Sequence, residues 1–335
     1  MDESATRDFI ASLPKTETHL HVEGALPWEL LAQKHPSKYS SQPTFRGPDF
    51  RYESFEQFES VLIEHALDWF DSPQSYFEAA QVIFARHLKQ NVKYVETSFH
   101  AGMMEFLKIP GREILSAILS AVPLGLEVRV FLGISRNAYT PFLGPLLEEA
   151  IEKWDDLAGI DLHGLETLPL ESWTEPFWEK ASSMGKILKA HAGEFGPAAN
   201  VEHAVDRMGV RRIQHGVLAR ESEGVMRVLA EEGVTLDLCP ISNYKLRVVD
   251  EMENHPIRLF MEKGINCTVS TDDPLSFNND LNQEYQSLVD HLEFSREELG
   301  QLALNGFSVA DLDASLKNSF GKEIQALVHA SSIDA

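Results

Sequence analysis

Short apolar runs alternate along this chain with longer stretches whose apolar positions recur every three or four residues. The short runs predict strands at 16–21, 92–98, 127–134, 158–162, 186–191, 211–215, 234–239 and 265–270. The longer stretches predict helices, as in Phe77-Ala80-Val82-Ile83-Leu88, Ile114-Ala117-Ile118-Ala121 and Val225-Val228-Leu229. Pro141, Pro176 and Pro197 suit first-turn helix positions. Eight strands, each followed by a helical stretch, are the pattern of a (β/α)8 barrel, in which every strand points its C-terminal end at one face.

Two stretches exceed a minimal barrel. Residues 27–90 are long enough for several helices and contain the polar, proline-bearing segment 36–52, which predicts a helical insertion capping the C-terminal face. Residues 282–335 continue as helices, with a frayed end at 331–335. No Gly/Ser or proline-rich linker divides the chain, so 1–335 is expected to form a single domain.

Composition narrows the partners. A formal charge of -23 opposes phosphate-backbone binding, which needs a cationic footprint, and directs attention to a small molecule instead of nucleic acid. No apolar run reaches the length of a signal core or membrane span, and the two cysteines, Cys239 and Cys267, are too few for a disulfide scaffold. These features predict a cytoplasmic protein, soluble and without a membrane partner. Protein partners leave no sequence signal.

The candidate chemistry stands at the ends of the predicted strands. His19 and His21 alternate on the first strand, so their imidazoles share a face and can ligate one ion. His191 ends the fifth strand and Asp272 the eighth, adding a third imidazole and a carboxylate. Three nitrogens and one oxygen suit Zn2+, although Fe2+, Mn2+ and Co2+ accept the same donors. The fourth strand, which ends in Asp161-Leu162-His163-Gly164, offers no lysine to bridge a second metal, so one ion is expected. Such an ion lowers the pKa of bound water from about 16 toward 7, which makes water the nucleophile. Glu194, three residues past His191, can face a substrate without ligating. Taken singly, Glu194 could be a helix-start acid, His215 a core histidine and Asp273 a turn cap before Pro274. There is no His-Glu-x-x-His helix and no Cys-x-x-Cys pair, so neither a metalloprotease nor a cysteine-ligated deaminase fits.

Together, His19-Leu20-His21-Val22-Glu23-Gly24, His191-Ala192-Gly193-Glu194, His215-Gly216 and Asp272-Asp273-Pro274 resemble the adenosine deaminase family, including its adenine deaminase branch, within the amidohydrolase barrels. The resemblance spans nearly the whole chain. It implies Zn2+ on His19, His21, His191 and Asp272, hydrolytic release of ammonia from a 6-aminopurine base or nucleoside, and proton donation by Glu194 to N1 as hydroxide adds to C6. By the same resemblance His215 orients or deprotonates the water, Asp273 hydrogen-bonds N7, Gly164 offers its backbone N–H to N3, and His21 and Glu23 border the substrate.

Substrate signals diverge. Glu23 stands where adenosine deaminases usually carry an Asp that contacts ribose, and Ser242-Asn243-Tyr244-Lys245-Leu246 resembles the adenine deaminase pattern. Asp273-Pro274-Leu275 is closer to the nucleoside type. A larger modified purine nucleoside such as aminodeoxyfutalosine is the alternative substrate. A barrel that binds purine without turnover is the alternative of another class.

Overall fold

The computed structural model describes residues 3–330, and the expected frayed end at 331–335 lies outside the described residues. Eight strands follow in chain order: β1 (Lys15–His21), β2 (Val92–His100), β3 (Glu127–Ser135), β4 (Gly159–His163), β5 (Ile187–Ala192), β6 (Arg212–His215), β7 (Thr235–Leu238) and β8 (Asn266–Val269). Each pairs in parallel with the next. Nearly every strand residue is buried, because one face packs into the barrel and the other under helices. The architecture is the expected (β/α)8 barrel.

The ring closes between β8 and β1 through a residue beyond β8 itself. Asp272 N–H donates to His19 O at 3.0 Å, and His21 N–H donates to Asp272 O at 3.2 Å. Asp272 and Leu20 form an isolated parallel bridge there. Asp272 therefore sits past the predicted strand end.

Four charged side chains form one network inside the barrel, which the apolar pattern concealed. Arg212 donates to Glu96 Oε2 and Asp237 Oδ2, both at 2.9 Å, and Lys189 reaches Glu96 while donating to Thr18 O at 2.6 Å. Two acids face two bases, so within this network burial leaves no charge uncompensated. Helix Arg296–Val309 packs outside β8 and β1, where Gly306 leaves room for Thr16: a Cβ on Gly306 would fall 1.9 Å from Thr16 Oγ1. Pro176 lies in the first turn of helix Thr174–Ser183, whereas Pro197 is the residue before helix Ala198–Asp206 and Pro141 precedes helix Leu143–Lys153 by two positions. Both positions spare the helix from a missing N–H. Among the described residues, no helix is long and apolar enough to cross a membrane.

Within 27–90 the structure places helices Trp28–Lys34, Phe55–Trp69 and Pro73–Lys89. Helix Phe55–Trp69 lines one side of the cavity at the C-terminal end of the barrel. The irregular segment before it is tied down by the chain after β7. Arg51 donates to Tyr244 O, Val249 O and Asp250 O, Tyr52 N–H donates to Lys245 O, and Lys245 Nζ donates to Gly47 O at 2.9 Å.

Candidate active site

Strand β1 delivers His19 and His21, β5 delivers His191, and the closing bridge delivers Asp272. One ligand atom from each lies within 4.8 Å of all the others. Asp272 Oδ1 is 3.4 Å from both His19 Nε2 and His21 Nε2. The outward ring nitrogens are engaged elsewhere. His19 Nδ1 donates to Asp237 O at 3.2 Å, His191 Nδ1 donates to Leu162 O at 3.1 Å and faces Asp161 Oδ1 at 3.2 Å, and His21 Nδ1 lies 2.8 Å from Ser98 Oγ. With their protons on Nδ1, His19 and His191 turn bare Nε2 lone pairs toward each other at 3.1 Å. A cation between them relieves that repulsion, so this donor set fits a divalent metal.

The electrostatics favour the donor forms of Asp272 and His19. Burial works against an ionised Asp272, but His19 and His21 beside it hold its carboxyl well below the usual range. Burial lowers His19, keeping it neutral. For His191 burial opposes protonation, yet Asp161 outweighs it and the imidazole is raised. Asp161 is correspondingly lowered: burial raises it, and His191 prevails.

Two site residues adopt left-handed backbone: His215 at φ 64° and Asp272 at φ 63°. Such conformations cost about 1–3 kcal/mol each and persist where surroundings fix them. Ser242 Oγ donates to Asp272 Oδ2 at 2.7 Å. His215 is fixed by a relay anchored on a backbone amide. Ile257 N–H donates to His255 Nδ1, so neutral His255 donates from Nε2 to Asn243 Oδ1 at 3.1 Å. The Asn243 amide then donates to His215 Nδ1 at 3.1 Å, which leaves the proton of neutral His215 on Nε2. Burial pushes both His215 and His255 down, His255 to about 3, so both rings are neutral.

Glu194 lies in the loop after β5, four residues before helix Ala198–Asp206, and is not a helix-start acid. Its loop is clamped by Glu166, whose carboxylate accepts the N–H groups of Gly193, Glu194, Phe195 and Gly196 at 2.7–2.9 Å. Burial, reinforced by Asp272 and Glu166, raises Glu194 well above an ordinary carboxyl. Asp273 precedes helix Pro274–Phe277 but makes no side-chain capping bond, and its Oδ1 is buried without a partner. Gly24 makes room for it, since a Cβ there would fall 1.4 Å from Asp273 Oδ1. Burial and then Asp272 raise the Asp273 carboxyl.

All of the sequence-nominated residues except His19 line one cavity of about 340 Å3: His21, Glu23, Gly164, His191, Glu194, His215, Asp272 and Asp273. His19 lies beneath it, buried against His191. Glu23 Oε1 accepts from Tyr76 Oη at 2.8 Å and from His100 N–H at 3.2 Å. His100 and His163 stack in the same wall, a pair the motifs did not single out. Burial lowers His100 to about 4, so it is a neutral hydrogen-bonding group. Ser242, Asn243 and Lys245 do not line the cavity: the first two support Asp272 and His215, and Lys245 holds the segment before helix Phe55–Trp69.

Comparison with known proteins gives the same picture. The adenosine deaminase family model matches residues 14–327. An adenine deaminase of Marinomonas sp. is 32% identical, covering 94% of this chain and 96% of that protein. Another from Sphingopyxis alaskensis is 29% identical, with 98% and 96% covered. Among solved structures, the adenine deaminase of Arthrobacter aurescens superposes with a TM-score of 0.85 at 24% identity, covering 95% of this chain and 99% of that one. An amidohydrolase of Burkholderia ambifaria with bound Zn gives 0.86 at 22% identity, with 99% and 96% covered. Fold and relatives define a barrel hydrolase acting on carbon–nitrogen bonds. With a match over residues 14–327, the chain belongs to the adenosine deaminase family.

Proposed function

We propose that this protein removes the 6-amino group of a purine by hydrolysis, releasing ammonia, with one Zn2+ held by His19, His21, His191 and Asp272. The observation that carries the reading is the convergence of four ligand atoms within 4.8 Å beneath a cavity that also presents Glu194, His215 and Asp273. When bound, the cation would lower the pKa of a water from about 16 toward 7 and so supply a nucleophile at neutral pH. The relatives named adenine deaminase support a 6-aminopurine as substrate.

The side chains divide the remaining work. Glu194, held protonated by burial, donates to N1 as water oxygen adds to C6, so ring protonation and addition are coupled. His215 Nε2, which carries the proton, lies 3.5 Å from Glu194 Oε1 and directs the incoming oxygen by donating to it. Because N7 is an acceptor, Asp273 must donate, and its raised carboxyl is protonated as that role requires. Gly164, at φ 81°, presents backbone to the cavity and would offer its N–H to N3. Collapse of the tetrahedral carbon breaks the C6–N bond as the proton of the added hydroxyl passes, by way of the Glu194 carboxylate left after N1 is protonated, to the leaving amine, and the oxygen remains as the ring carbonyl.

The test is ammonia release from adenine, adenosine and 2′-deoxyadenosine by Zn-replete protein, together with the ultraviolet change of an aminopurine becoming an oxopurine. Ammonia in step with that change is the expected result. Metal-bound protein silent on the whole panel would end this reading in favour of a binding barrel.

A further inference from the structure

Asp272 holds a left-handed backbone at φ 63°, and such a conformation persists only where its neighbours fix it. The residue before it is fixed at every polar group. Thr271 donates its N–H to Glu17 Oε1 at 3.0 Å and its hydroxyl to Glu17 Oε2 at 2.8 Å, and its carbonyl accepts from the Asn279 amide at 3.0 Å. The chain therefore enters Asp272 along one path.

The Asn279 amide is itself held. Its nitrogen also donates to Glu284 Oε1 at 2.6 Å, so its two protons go to Thr271 and Glu284, and a reversed amide would set its oxygen against both acceptors. The other oxygen of Glu284 reaches a different element. Glu284 Oε2 accepts the N–H of Ile241 at 3.1 Å, near the start of helix Pro240–Lys245. Cys239 caps that helix with no side-chain bond, so Glu284 supplies from another helix an acceptor that the helix start lacks. The next residue, Ser242, donates to Asp272 Oδ2 at 2.7 Å. One carboxyl group thus stands at the root of two routes to Asp272: through Asn279 and Thr271 to its backbone, and through Ile241 and Ser242 to its carboxylate.

Glu284 lies on helix Leu281–Leu292, which packs against β8 and helix Pro240–Lys245. It is fully buried, yet it does not line the cavity above the ligand atoms. Burying a carboxyl is costly, and packing alone would be served better by an apolar side chain.

We infer that Glu284 is a positioning residue for the metal site: it fixes both the backbone and the carboxylate of Asp272 against the ligand cluster, and so governs how long a cation stays there. This rests on the metal reading proposed above. It adds a residue that touches neither cation nor substrate.

The test follows the release of zinc from Zn-replete protein to a chromogenic chelator, with urea midpoints measured alongside. Glu284→Gln keeps the volume but leaves one acceptor oxygen where two donors arrive. Asn279→Ala cuts only the route through Thr271. Leu288→Ala, fully buried on the same helix, weakens packing and leaves both routes intact. Outer partners of metal ligands are worth about 10–100-fold, so zinc release should be faster by about that factor in Glu284→Gln and by about ten-fold in Asn279→Ala, with Leu288→Ala within about two-fold of native despite a lower urea midpoint. Native release in Glu284→Gln, or release from Leu288→Ala as fast as from Glu284→Gln, would overturn the inference. Should Glu284→Gln fail to fold, Asn279→Ala decides, and native release in that variant overturns it. A native chain that takes up no zinc strikes the metal reading and this inference with it. Because the readout is metal release and not turnover, silence on the aminopurine panel leaves the result intact.

Discussion

His215 and Glu194 face each other at 3.5 Å, Nε2 to Oε1, while His215 Nε2 also stands 3.8 Å from Asp272 Oδ2. Two buried groups, each pushed toward its neutral form, thus meet beside a candidate metal ligand. The pair is fixed from behind, Glu194 by the Glu166 clamp on its loop and His215 by the Asn243–His255 relay.

Removing the proton that Glu194 carries should stop turnover without disturbing the ligand cluster. Glu194→Gln keeps shape and a hydrogen-bond donor but has no acid to give, and general acid catalysis contributes about 10²–10⁴-fold. The expected result is a kcat loss of about a thousand-fold with metal content unchanged by elemental analysis. Retention of full activity would remove Glu194 from the acid role.

The relay predicts an effect from a residue outside the cavity. His255→Phe deprives Asn243 of its donor, frees the amide to rotate, and releases His215 from its tautomer. Loss of outer partners of this kind costs about 10–100-fold. We expect kcat to fall by that factor with KM nearly constant. Equal losses in kcat for His255→Phe and His255→Gln would argue for simple packing, because Gln can restore the donor.

Asp272→Ala should act on both metal and fold. The variant loses a carboxylate that two imidazoles approach at 3.4 Å, and metal occupancy after dialysis should fall well below one per chain. Asp272→Asn keeps the backbone bridge and an oxygen donor, so it should retain more metal than the alanine variant. Identical occupancy in native protein and Asp272→Ala would take this residue out of the ligand set.

Lys15 supplies a pH signature far from the site. It is buried at the start of β1, where it donates to Leu13 O at 2.8 Å, and burial lowers it from 10.5 to about 7. A lysine depressed in the folded state binds fewer protons there than in the unfolded chain. Stability from this group therefore rises with pH between about 7 and 10.5 and is flat below 7. Urea midpoints of native protein and Lys15→Met should diverge in favour of the native chain from pH 7 to pH 10. Parallel curves would contradict the shift.

The barrel was legible because buried parallel strands read as apolar runs bounded by turns, and the candidate ligands were legible because they sit at or just past the ends of those runs. His19, His21 and His191 needed only strand alternation and position. The parts that escaped are selected in three dimensions. Asp161, Ser98 and Glu166 look like ordinary polar residues until the chain brings each against a histidine or a loop. Glu96, Lys189, Arg212 and Asp237 escaped because each comes from a different strand, and only closure of the ring pairs them. Lys245 is buried and holds Gly47, and Arg247 donates to Tyr52 O at 2.8 Å, so both secure the insertion.

The meeting of β1 with Asp272 has a mechanical meaning. Chain segments around residues 19–21 and 272 are joined there by two backbone hydrogen bonds, and the same residues supply three of the four converging ligand atoms. The seam of the barrel and the candidate metal site are thus one object, so an ion seated there would act as a clasp. Holding the ends of the sheet together would then be inseparable from being ready to react, and a chain whose seam had opened would lose its chemistry before it lost its fold.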